Sequence, residues 1–142
     1  MSSYTHILVG LDLSADCTTI LEKAAMLAKS FDADISVAHI VEPLAFAYGG
    51  DIPIDLSEAQ ATMELQAKTR LAKIIDEVQV VPQNQFVCIG QTSAELHHIA
   101  MSEHMDLIVV GKHSRHGLGL LFGSITKGVV QSAPCDVLAI KV

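Results

Sequence analysis

Apolar and polar positions along this chain fall into blocks whose period changes from one block to the next. THILVGL (5–11) is a short apolar run, and after the polar turn DLS a helical stripe follows, with Ile20, Ala24, Leu27, Ala28 and Phe31 on one face. Ser14 fits the N-cap of that helix, with Asp16 in its first turn complementing the helix dipole. DISVAHIV (34–41) predicts a second buried strand. EPLAFAYGGDIPIDLSE then shows no clear period over some fifteen positions and is punctuated by Pro43, Gly49, Gly50 and Pro53, which predicts a long loop over about 42–56. Ser57 and Gln60 form a capping box for a second helix, striped by Ala67, Leu71, Ile74, Ile75 and Val78. QFVCIG (85–90) predicts a third strand, and Thr92 with Glu95 a third helix running to about His104. DLIVVG (106–111) predicts a fourth strand. Beyond a Gly-rich segment, SITKGVVQSA predicts a last helix with Ile125, Val129, Val130 and Ala133 on one face, closed by Pro134 before a fifth strand, DVLAIKV.

Strands alternate with helices throughout, and each strand is apolar on both faces. That pattern implies a doubly wound α/β fold, an open parallel sheet with helices on both faces and right-handed crossovers. The 142 residues contain no repeat, linker or low-complexity tract, so a single domain over 1–142 is expected. No run approaches the roughly 18 apolar residues of a membrane span. MSSYTHILVG lacks the charged, apolar and small-residue regions of a secretory signal, so a soluble, cytoplasmic protein is expected. Cys17, Cys88 and Cys135 are odd in number and widely spaced, which reads as reduced thiols. Cys17 falls in the first turn of a helix, where the dipole can lower a thiol pKa; packing is the commoner role there and is the one expected.

The formal net charge of −7 excludes a broad nucleic-acid surface. The charge is uneven: residues 107–135 contain Lys112, Arg115 and Lys127 but no Asp or Glu. In open parallel sheets, ligands bind beyond the carboxyl ends of the strands where strand order reverses. Two predicted strand ends carry chemistry there. The first places Asp12 at its carboxyl end, although Asp in DLS also caps turns. The fourth ends at Gly111, where GKHSRHGLGLLFGS begins. Its glycines let backbone amides approach an anion, and the helix start near Ser124, Ile125 and Thr126 offers free N–H groups. Lys112, Arg115 and the hydroxyls of Ser114, Ser124 and Thr126 add possible contacts. The phosphate-loop pattern is absent, and the dinucleotide fingerprint started by Gly117 and Gly119 has Phe122 in place of its third glycine. His113 and His116 lack an obvious third metal ligand and read as loop residues; His97 and His98 are adjacent on a helix and share no face.

These segments, ILVGLDLS, AHIV, Gly90 after the third strand, DLIVVG, GS before a helix and APCDVLAIKV, occur in an order that resembles the universal stress protein A family over essentially the whole chain. The resemblance implies a five-stranded parallel sheet of order 3-2-1-4-5 and a homodimer paired through the last strand. Nucleotide-binding members hold ATP with a divalent ion, here Mg²⁺, through G-x2-G-x9-G-[ST] after strand four. Carried over, the nucleotide-binding positions are Gly10, Asp12, Ile40, Gly111, Ser114, Arg115, Gly123, Ser124, Ile125 and Thr126. Asp12 and Ile40 would lie near adenine and ribose, and the later positions near ribose and phosphates. Two departures stand out: Ser114 replaces the second glycine, and eight residues rather than nine separate it from Gly123. The expectation is a stress-response protein binding ATP or a related adenine nucleotide as a signalling or sensor state. The alternative is a nucleotide-independent dimeric interaction module with unknown protein partners. No base or nucleophile constellation accompanies Asp12, so any ATP hydrolysis is expected to be slow.

Overall fold

The computed structural model describes residues 3–43, 56–112 and 124–142. Among these residues five strands and four helices alternate: β1 (His6–Gly10), α1 (Cys17–Phe31), β2 (Asp34–Val41), α2 (Leu56–Val78), β3 (Gln85–Ile89), α3 (Thr92–Ser102), β4 (Leu107–Lys112), α4 (Ser124–Val130) and β5 (Asp136–Lys141). All strand pairs are parallel and the sheet order is β3-β2-β1-β4-β5, as the resemblance implied. The chain winds outward from β1 through β2 to β3, then crosses back to β4. The order therefore reverses between β1 and β4.

The period-2 geometry of the strands divides the core into two layers. Ile7, Val9, Ile35, Val37, Leu107 and Val109 project to one face, where Ile20, Leu21 and Ala24 of α1 and Leu71 and Ile75 of α2 cover them. Leu8, Ala38, Ile40, Ile108 and Val110 project to the other, under Leu96, Ile99 and Ala100 of α3 and Val129 of α4. Full burial of each such Ile, Leu or Val side chain contributes roughly 1.5–3 kcal/mol, so the three central strands supply most of the cohesion. The edge strands alternate in exposure instead. At the amino end of the sheet the Asp106 carboxylate accepts the Thr5 and His6 N–H groups at 2.8 and 3.1 Å and the Thr5 hydroxyl at 2.9 Å, fixing β1 beside β4.

Helix starts differ from the expected caps. Asp16, not Ser14, is the N-cap of α1, and it makes no side-chain cap bond. The Asp12 carboxylate takes the Ser14 N–H at 2.9 Å, and the Ser14 carbonyl accepts the Cys17 N–H at 3.2 Å, so this turn delays the helix. Ser57 lies inside α2, which begins at Leu56, and Thr92 lies inside α3, whose N-cap is Gln91. α3 ends at Ser102, and His104 follows in a left-handed conformation (φ 54°). In α4 the inward residues are Thr126 and Val129, whereas Ile125 and Val130 are about half exposed. A hydrogen bond from the Thr126 hydroxyl to the Gly111 carbonyl, 3.1 Å, sets that rotation.

Candidate ligand-binding cleft

The site grows from the turn after β1. The Leu11 N–H continues the ladder to the Ala38 carbonyl at 2.9 Å, and His39 Nδ1 lies 2.7 Å from the Leu11 carbonyl oxygen. Leu13 then adopts a left-handed conformation (φ 62°), an uncommon geometry for a bulky side chain. Three restraints hold it: its side chain is buried, its carbonyl accepts from Arg70 of α2, and the Asp12 carboxylate fixes the Ser14 amide on its far side. Asp12 is thereby presented at the carboxyl end of β1. The capping role and the strand-end position proposed for it from sequence coexist in one side chain.

The carboxyl ends of β1, β2 and β4 open beneath α3 and α4 into a cleft of about 330 Å³. Gly10, Asp12, Ile40, Gly111, Ile125 and Thr126 line it, together with Leu11, Ile20, Ala38, Glu42, Thr92, Leu96 and Val110. It sits over the point where strand order reverses, where such folds accept ligands. Its wall is mainly aliphatic, with polar atoms confined to a few places, the usual make-up of a small-molecule site. Among the described residues no Lys or Arg lines it.

Two glycines keep this space open. A methyl at Gly10 would sit 3.0 Å from Leu96 Cδ1 and 3.3 Å from Val110 Cγ1. At Gly111 it would collide with Ile20 Cδ1. Helix and strand therefore approach closely at the cleft floor because these residues have no side chain. Ser114, Arg115 and Gly123, with His113, His116 and the other loop glycines, lie outside the described residues, as do residues 44–55 of the expected loop over 42–56. Ser124 opens α4, and nothing is described of its side chain.

Several lining residues escaped the sequence reading. Thr92, expected as a helix cap, instead donates its hydroxyl to Glu42 Oε1 at 3.3 Å. Glu42, expected as the first loop residue, directly follows the end of β2, so the strand-end rule that points to Asp12 applies to it equally. The wall residues Ile20, Leu96 and Val110 carried only a packing signal. A second depression, of about 350 Å³, shares Asp12, Ile40 and Glu42 with the cleft and is completed by His39, Met63, Gln66 and Arg70. His97, given no role from sequence, ties α3 to α4 through Nε2, 2.7 Å from the Val129 carbonyl oxygen.

Cys17 behaves as a packing residue. Burial, then the charge of Asp12 and the hydrogen bond from Sγ to Asp12 Oδ1 (3.6 Å), push its thiol up to about 11. These effects outweigh the helix dipole that would lower it. Cys88 and Cys135 are also free thiols, each pushed up first by burial and then by nearby carboxylates. Among the described residues no group of three or more His, Cys, Asp or Glu is placed to hold a metal ion. Among them, too, no helix is long and apolar enough to cross a membrane.

The winding order and the position of the cleft define the class: a doubly wound α/β protein with an open cavity over its switch point. Within that class the chain belongs to the universal stress protein family, whose model matches residues 3–141. It is 37% identical over 139 residues to universal stress protein A homolog 1 of Coxiella burnetii, covering 96% of each chain. Among solved structures, the universal stress protein UspA from Lactobacillus plantarum superimposes with a TM-score of 0.80 at 25% identity, covering 99% of both chains. A universal stress protein solved in complex with cAMP has the same fold, with a TM-score of 0.65 at 19% identity over 98% of each chain.

Proposed function

We propose that this universal stress protein binds ATP or a related adenine nucleotide in the cleft and that the bound state is its signalling output. The observation that carries the reading is the convergence of Gly10, Asp12, Ile40, Gly111, Ile125 and Thr126, from three strand ends and one helix, on a single cavity. Its volume lies at the lower end of the roughly 300–1,000 Å³ of small-molecule sites, which suits one nucleoside with its phosphates leading outward. The aliphatic wall of Ile20, Ile40, Leu96 and Val110 suits a purine or ribose face, and Asp12 suits a hydroxyl or amine donor. That a family member was solved with cAMP supports an adenine nucleotide as the occupant. A divalent ion such as Mg²⁺ would enter with the phosphates and neutralise their charge. The test is titration calorimetry of the purified chain with ATP and Mg²⁺, together with mass spectrometry of small molecules released from fresh protein. Binding that is lost in Gly111→Val, which fills the floor against Ile20, supports the reading. Absence of both heat and co-purified nucleotide in the wild-type protein overturns it.

A second reading, a nucleotide-independent interaction module, is favoured by one observation. Among the described residues β5 is an edge strand paired only to β4, and Leu138 in its middle is 40% exposed. Such an edge can pair with a second copy or another partner. The two readings part on whether partner binding requires ATP.

A further inference from the structure

We propose that Glu42 is a specificity-determining residue of the cleft: it occupies the N-terminal end of α3, turns away ligands that are negatively charged at the β2–α3 end, and admits those presenting an uncharged hydrogen-bond donor there. The proposal deepens the nucleotide reading and rests on it.

Two helices begin at the rim of this cleft. α3, of 11 residues, has Gln91 as its N-cap, and that side chain makes no capping bond. An uncapped helix start is a place where an anion would be welcome. Here the chain brings its own. Glu42, the first residue after β2, reaches across so that Oε1 accepts the hydroxyl of Thr92, the first residue of the helix. Glu95 adds a second carboxylate in the same first turn, folded back over Gly90: a methyl there would lie 2.8 Å from its Oε1. Of the two, Glu42 lines the cleft, so a carboxylate already stands at its α3 end before any ligand arrives.

The opposite end differs. From residue 107 to 135 there is no Asp or Glu, and Gly111, Ile125 and Thr126 form that wall. Charge along the cleft therefore has a direction, acidic at β2–α3 and free of carboxylates at β4–α4. A nucleotide lowers its energy by laying its phosphates toward β4–α4 and its base edge toward Glu42. A carboxylate offers only acceptors, so it suits the exocyclic amine of adenine and opposes a negative group in the same place. Asp12 is less suited to this selection because its Oδ1 already takes the Ser14 N–H and the Cys17 S–H.

The experiment compares two ATP derivatives of similar bulk, N6-ethyl-ATP and N6-carboxymethyl-ATP, binding with Mg²⁺ to the full chain and to Glu42→Gln. Wild type is expected to bind the charged derivative about tenfold or more weakly than the neutral one, and Glu42→Gln to narrow that ratio to within about threefold. Glu42→Asp, which keeps the charge, is expected to retain most of the discrimination. Equal wild-type affinity for the two derivatives overturns the proposal, as does a ratio that Glu42→Gln leaves unchanged. If wild type binds ATP but shows no charge discrimination, this inference alone falls. If wild type binds no adenine nucleotide, the nucleotide reading falls and carries this one with it.

Discussion

Asp12 serves both the turn and the cleft, and its neighbour Cys17 reports on it. The thiol stands near 11 against an ordinary value of 9.0 because it is buried and because a carboxylate lies 3.6 Å away. Replacing Asp12 by Asn removes the charge but keeps an acceptor for the Ser14 amide, so the turn should persist while the thiol becomes easier to ionise. The expected outcome is a fall in the apparent pKa of Cys17 alkylation in Asp12→Asn, followed by mass spectrometry across pH 8 to 11. Asp12→Ala also leaves the Ser14 amide without its partner and should cost a further ~1 kcal/mol in urea unfolding. The linkage has a definite sign. A thiol whose folded pKa is raised contributes stability below its unfolded value, and that contribution is lost as pH rises toward 11. Wild type should therefore lose stability between pH 9 and 11 more steeply than Asp12→Asn.

The helices show a shared device at their far ends. Asp32, Gln79, His104 and Ser132 each follow a helix in a left-handed conformation, with φ between 53° and 60°. After three of them the next amide reaches back five residues: Ala33 to Ala28 at 2.8 Å, Val80 to Ile75 at 3.3 Å and Met105 to Ala100 at 2.9 Å. Glycine usually occupies this place, because a side chain costs roughly 1–2 kcal/mol there. Gln79→Gly and His104→Gly are exposed changes and should each stabilise the chain by about 0.5 kcal/mol, once glycine's unfolded-state entropy is set against the relieved strain. Urea midpoints at constant slope check this. The same observation shows why the helix ends were harder to read than the helices. The stripes Ile20–Ala24–Ala28 and Ala67–Leu71–Ile75 were legible because burial selects period and composition together. No glycine marked where three of these helices stop, and tertiary partners had claimed the expected caps: Thr92 bonds Glu42, and the Asp12 turn moved the start of α1 past Ser14. In α4 the expected face of Ile125, Val129, Val130 and Ala133 is met at Val129, which is buried, but not at Ile125 and Val130, because the Thr126 hydroxyl bonded to Gly111 turns in and leaves those two aliphatic groups at the rim. At the cleft, strand-end Asp12 and Gly111 were legible from position. The walls were not, since Leu96 and Val110 become ligand-facing only when α3 and β4 are set side by side.

At the scale of the whole molecule, β3 and β5 are the edge strands of the sheet, and a homodimer formed by strand pairing, as the family resemblance implies through β5, would use one of them. Each carries a partly exposed aliphatic residue, Ile89 at 39% and Leu138 at 40% exposure. A two-fold axis at the β5 edge would run the partner strand antiparallel and, if it passes near the middle of the strand, would bring Leu138 close to its own copy. An arginine there would face its own copy across the axis, and like charges directly opposite in a ladder are destabilising. Leu138→Arg should therefore convert a dimer to monomer at micromolar concentration by sedimentation velocity, without loss of helical content, because the residue is not part of the buried core. Ile89→Arg, an equal change on the other edge, should leave the dimer intact. The pairing through β5 fails if both variants remain dimeric or if only Ile89→Arg dissociates. Since β4 pairs β5 residue for residue up to Lys112 and Lys141, and β4 ends at the cleft floor, a β5 dimer would place the two clefts of the assembly at fixed positions relative to its axis. The monomeric Leu138→Arg variant then separates the functions: nucleotide affinity should survive in it, and any partner binding that needs two clefts at once should not.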